Sequence, residues 1–144
     1  MVLYEPSVWG PHYWFFLDTI AMTYPNHPNS VTKKIYFDLI QHFHLFIPVQ
    51  EHATNFNKLL SNYPITPYLD NRESFIRWVH FMHNKINEQL NKPNMPYNDF
   101  YTNYYNKYKE KTLKHNENKR FYKKILYIAL LLVLIFSIIY LSKL

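Results

Sequence analysis

Four polar residues recur at helical spacing in the stretch FIRWVHFMHNKINEQLNKP: His80, His83, Asn84 and Asn87 stand at i, i+3, i+4 and i+7. On a helix they share one face. An apolar stripe of Phe75, Val79, Met82, Ile86 and Leu90 lies about a third of a turn away. Imidazoles and carboxamides donate and accept hydrogen bonds in fixed directions, and Trp78 nearby offers a flat apolar surface. Two readings stay open: a solvated face beside a core, or one wall of a slot for a flat polar ligand. A metal suits the face less well. His80 and His83 can meet an ion at i, i+3, but no carboxylate shares their face. His42 and His44, two residues apart, point to different helix faces and make no joint site.

Several chemistries are excluded by residue type. The 144 residues include no cysteine, so disulfides, thiol catalysis and cysteine–metal sites are impossible within the chain. The single glycine, Gly10, rules out glycine-rich phosphate loops. The net charge of +6 is unevenly placed. Residues 1–100 hold seven basic and eight acidic side chains, whereas residues 101–144 hold nine and two. Basicity confined to one segment beside an apolar run predicts a membrane flank and no nucleic-acid partner.

The elements that must position the polar face read as short helices. Pro11–Thr23 starts on a proline and stops before Tyr24-Pro25. Ser30 is a candidate N-cap for Val31–Ile47, with Ile35, Leu39, Phe43 and Phe46 as its apolar stripe. Pro48 opens a third helix that ends near Asn62, before Pro64. Glu73–Asn91 carries the polar face, and Pro96–Glu110 lines up Tyr97, Phe100, Tyr101, Tyr104, Tyr105 and Tyr108. No stretch alternates like a strand and no repeat is visible. The expected fold is all-α: a small four-helix bundle with a short fifth helix. Residues 1–100 form the expected domain, and residues 101–124 an aromatic and basic helix and linker.

Ile125–Leu141, ILYIALLLVLIFSIIYL, is uncharged and apolar all round, which predicts a C-terminal transmembrane helix. Its seventeen residues cover about 26 Å, near the lower limit for a span. Eight basic residues in Lys107–Lys124 precede it, so the positive-inside rule puts the N-terminal domain in the cytoplasm, anchored to a membrane by its tail. No signal peptide opens the sequence. The final Ser142-Lys143-Leu144 matches a peroxisomal address by chance, since it abuts the span.

Taken together, these motifs resemble the Erv/ALR family of FAD-linked sulfhydryl oxidases. WGPHYW followed by Tyr24-Pro25 is similar to the family's first helix. LFIPVQEH occupies the place of its Pro-Cys-x-x-Cys element, and Trp78 with His83, Asn84, Asn87, Leu90 and Lys92 looks like its signature helix. The resemblance covers about Trp9–Pro93. It implies a helical cradle for FAD, built by Trp9, Gly10, Trp14, Tyr24, Trp78, His83, Asn84, Asn87, Leu90 and Lys92. It also implies a homodimer through the first helices, protein thiols as substrates, and kinship with forms found in large DNA viruses.

Two departures set the functional expectation. Asp18 stands where the family has histidine, which places a negative charge near the cofactor's phosphates. Val49 and His52 stand where the family has its redox cysteines. Valine and imidazole cannot exchange disulfides, so the chain is expected to be a redox-inactive member with a retained FAD cradle. Two other outcomes remain: a flavoprotein of altered chemistry with His52 beside the ring, and a membrane-anchored structural subunit without cofactor.

Overall fold

The computed structural model describes residues 4–141, apart from the side chains at 110–114 and 136. Its five α-helices are α1 (Pro6–Met22), α2 (Ser30–His42), α3 (Gln50–Asn62), α4 (Arg72–Gln89) and α5 (Tyr97–Leu141). Short 3-10 turns at Phe43–Phe46 and Thr66–Tyr68 join them, and no strand occurs among the described residues. The chain is all-α, and it divides into two compact units, Met1–Tyr101 and Thr102–Leu144.

In the first unit α1 packs chiefly on α4. α1 begins earlier than the proline rule places it. Pro6, with its φ already suited to a helix, occupies the first turn, and Pro11 sits inside the helix. Leu17, Asp18, Ala21 and Met22 are its buried residues. Just past its end, Tyr24 is fully buried; its hydroxyl donates to the Leu69 carbonyl at 2.8 Å. Its ring meets Tyr36 and Phe75 edge-on, and Arg72 Nε donates to its carbonyl. Tyr24 therefore pins the end of α1 to the start of α4. Burial, with lesser contributions from Tyr36 and Asp70, raises the pKa of its hydroxyl.

α2 is capped one residue earlier than expected. Asn29 accepts from the Thr32 N–H at 2.8 Å, which makes Ser30 the first helical residue. The helix also stops short of Ile47, at His42, where His42 Nδ1 donates back to the Asp38 carbonyl at 2.7 Å and the chain tightens into the turn 43–46. The stripe expected at Ile35, Leu39, Phe43 and Phe46 is only partly inside. Phe43 is buried against Tyr13, Phe16 and Phe56, but Ile35 and Phe46 are about two-thirds exposed, at 60% and 64%, and Ile40 is the residue that α2 buries.

α4 follows its expected course closely. Asn71 caps it by accepting from Ser74 N–H at 2.9 Å, and Phe75, Ile76, Trp78, Val79 and Met82 are buried. Ile86 is half-buried and Leu90 exposed, so the stripe leaves the core in its last two turns. The helix closes with a pair of bonds, Lys92 N–H to Asn87 O and Asn91 N–H to Glu88 O, around Asn91 at φ 54. This is a Schellman cap with asparagine in the left-handed position usually given to glycine.

Segment 101–124, expected to include a linker, contains no break: α5 continues through it. Neither proline nor glycine occurs between Tyr97 and Leu141, so nothing interrupts the hydrogen-bond ladder where composition turns from polar to apolar. Its part His115–Leu141 is long and apolar enough to cross a membrane, by length and composition.

Candidate functional site

The polar face of α4 divides into two halves with different roles. His80 and Asn84 fasten the loop after the helix. His80 Nε2 donates to the Met95 carbonyl at 2.7 Å; Asn84 Nδ2 donates to the same carbonyl at 3.0 Å, and Asn84 Oδ1 accepts from Met95 N–H at 2.9 Å. The His80 ring also packs against Tyr97 and Phe100. Tyr97 is held in turn by Glu73, which accepts from its hydroxyl at 3.1 Å, and by Arg77 over its ring at 4.5 Å. Burial first, then the Glu73 carboxylate, push the Tyr97 hydroxyl up to about 12. Asn84 is thus engaged on both sides of its carboxamide by backbone.

The other half is His83 and Asn87. His83 stacks face to face with Trp14 of α1, ring centroids 4.0 Å apart and planes within 5°. Gly10 lies one turn before Trp14, and a Cβ there would meet nothing within 4 Å. Asp18, one turn after Trp14, is buried at 7% exposure. The Asn87 side chain, half-buried, makes no hydrogen bond to a described residue, while its backbone carbonyl holds the Lys92 N–H at 2.8 Å. Lys92 is exposed and forms no ion pair among the described residues, and Leu90 beside it is 40% exposed. From Trp14 along α4 the surface therefore offers a stacked ring pair, a carboxamide and a cation.

A third group gathers at the start of α3. Val49 is the N-cap, in extended conformation with no side-chain cap, and His52 lies in the first turn; both are half-buried. Trp9 meets His52 edge-on, with centroids 6.0 Å apart, and donates through Nε1 to the Tyr4 carbonyl at 3.2 Å. Tyr13, for which its place in the sequence suggests no role, also touches Trp9 and donates to the Phe46 carbonyl at 2.8 Å, so it fixes the turn that leads into α3. Trp78 lies inside the first unit, 3% exposed, with Nε1 donating to the Tyr63 carbonyl at 3.1 Å. Tyr24, Trp78 and Asn84 thus serve the fold directly. Trp14 and His83 are joined by their stack, while the Asn87 and Lys92 side chains make no hydrogen bond or ion pair among the described residues.

Residues 11–122 of the chain match the Erv1 / Alr family. The chain belongs to that family. Among its relatives, a protein of Acanthamoeba polyphaga mimivirus named "Probable FAD-linked sulfhydryl oxidase" is 28% identical over 94 residues, which cover 65% of this chain and 66% of that protein, just under two thirds of its length. An African swine fever virus protein named "FAD-linked sulfhydryl oxidase" is 30% identical over 112 residues, 76% of this chain and 89% of that protein. Among solved structures, the yeast Erv1 core superimposes with a TM-score of 0.62 at 26% identity, covering 68% of this chain and 81% of that one. In this Erv1 / Alr member, the start of α3 carries valine and histidine, and no cysteine occurs anywhere in the sequence.

Proposed function

We propose that this Erv1 / Alr family member holds FAD without a thiol relay of its own, and that it does so as a membrane-anchored chain. The observation that carries the reading is the start of α3, where Val49 at the N-cap and His52 in the first turn supply a methyl pair and an imidazole in place of the sulfurs of a thiol relay. The relatives are FAD-linked by name, and the residues present suit that cofactor. The Trp14–His83 stack gives a flat platform, Asn87 an unused carboxamide for ring or ribose edges, and Lys92 a cation for phosphate. FAD supplies a two-electron acceptor when bound. His52 can hydrogen-bond to such a ring, but it can form neither a thiol adduct nor a mixed disulfide. The chain would then be a cofactor-holding or regulatory subunit. Val8 and Phe16 on α1 and Val31 and Ile35 on α2 are exposed apolar residues that pairing of two copies through the first helices would cover.

A second reading, an interaction subunit without cofactor, draws on the direct contact of Trp14 with His83 and on the buried carboxylate of Asp18. The visible spectrum of the purified full-length chain separates the two. We expect a yellow protein, and a melting temperature raised by added FAD; at a hundredfold excess over Kd the added stability is about 2.7 kcal/mol. Trp14→Ala should remove both effects. A colourless protein indifferent to FAD would refute the cofactor reading in favour of the second.

The full-length chain is expected to stay with membranes through alkaline carbonate, and protease added to intact microsomes should digest the N-terminal unit. Release by carbonate argues against a span, and protection of that unit reverses the orientation.

A further inference from the structure

The densest charge outside the site lies just before the apolar end of α5. Lys119, Arg120, Lys123 and Lys124 are all exposed, with Glu117 the nearest acid in the sequence. Phe121 and Tyr122, 60% and 69% exposed, stand between them. We propose that these four cations bind the headgroups of anionic lipids in the leaflet the helix enters, and that Lys107 and Lys109 of the same helix do not. The inference rests on the anchoring reading above.

Helix continuity makes the division. A straight helix rises 1.5 Å per residue, so Lys124 back to Lys119 stand within about 9 Å of Ile125, close to one Debye length in physiological salt. Lys109 and Lys107 stand about 24 and 27 Å back along it, where the field of the lipid surface is screened. A flexible linker would let every one of these cations fold onto the lipid; an unbroken helix through 107–124 does not. The two aromatic rings among the near cations suit the headgroup layer, and long basic side chains reach outward from a span to the same layer. A bilayer is favoured over nucleic acid as the polyanion because the span itself brings the phosphate layer level with these residues.

The full-length chain is reconstituted into phosphatidylcholine vesicles that carry a trace of spin-labelled phosphatidylserine or spin-labelled phosphatidylcholine. Electron spin resonance then gives the immobilised fraction of each. The serine lipid should associate at least about threefold more strongly than the choline lipid. That preference should fall to about one in K119Q/R120Q/K123Q/K124Q and in molar salt, and persist in K107Q/K109Q. Glutamine keeps helix propensity, so an unchanged circular dichroism spectrum certifies the variants. Equal immobilisation of both lipids by the parent chain overturns the proposal and leaves the anchor standing. An equal loss in the two variants overturns the division along the helix. No immobilised lipid of either kind overturns the anchor, and the proposal with it.

Discussion

Replacing Val49 and His52 together by cysteine is expected to raise dithiothreitol-driven oxygen consumption from background by about 10²-fold or more, the scale of one well-placed catalytic group. The two positions are three apart at the start of α3, the N-cap and the first turn. Residues so spaced are neighbours on a helix surface and lie within the roughly 4.4–6.8 Å Cα separation that a disulfide spans. The turn has no side-chain cap, so its free N–H groups and the helix dipole would lower the pKa of a thiol placed there. Either single replacement should turn over more slowly than the pair, because without a second protein sulfur a mixed disulfide is resolved only by the second thiol of dithiothreitol. The parent chain should consume no oxygen above the flavin blank. Turnover by the parent at the rate of the double variant would mean that catalysis does not depend on this pair, and the role assigned to the two positions would be wrong. If neither form turns over although both bind FAD, a second lesion exists. Asp18→His is then the variant to add, since the buried carboxylate lies one turn from Trp14 on the same helix.

Trp78→Ala is expected to cost about 3–5 kcal/mol, the usual range for truncating a buried large aromatic side chain. The ring is 3% exposed, packs near Phe75 and donates to the Tyr63 carbonyl. The variant therefore creates a cavity and strands an acceptor, the second effect adding about 1 kcal/mol. Against a typical total of about 5–15 kcal/mol, the loss removes from about a quarter to all of the first unit's stability, so its melting temperature should fall sharply. Trp78→Phe keeps a six-membered aromatic ring in the core but loses the second ring and its N–H, so it should lose less than Trp78→Ala. Near-ultraviolet circular dichroism during heating reads both, as it follows packed aromatic rings and is blind to an apolar helix that stays folded in detergent. A Trp78→Ala chain that melts like the parent yet fails to take up flavin would make Trp78 a ligand group and not a core support.

What the sequence discloses depends on whether the deciding interaction is local. α4 is legible because its apolar period lies within the helix itself; the structure places it at Arg72–Gln89 against an expected Glu73–Asn91. The end of α2 was not legible. Phe43 and Phe46 continue the helical period, but Phe43 is drawn inward by Tyr13, Phe16 and Phe56, and Tyr13 holds the Phe46 carbonyl from α1, 33 residues away in the chain. The start of α1 differs from the expected Pro11 for a local reason: two prolines each suit a first turn, and the earlier one serves. At the site, spacing put His80, His83, Asn84 and Asn87 on one face. It had no means of telling that Met95, beyond the helix, would engage His80 and Asn84, or that Trp14 of α1 would stack on His83. Composition suggested a boundary between the aromatic helix and the apolar tail, yet backbone continuity depends on the absence of breakers and not on polarity.

The placement of the three tryptophans gives the molecule its own optical reporters. Trp78, buried and hydrogen-bonded, emits from an apolar setting and follows unfolding of the first unit. Trp14 lies face to face with an imidazole, so its emission reports on the state of that one contact. Trp9, half-buried and edge-on to His52, responds to chemistry at the start of α3. Single-tryptophan variants would therefore resolve folding, entry at the α1–α4 face and events at position 52 as three separate fluorescence signals, with no label attached.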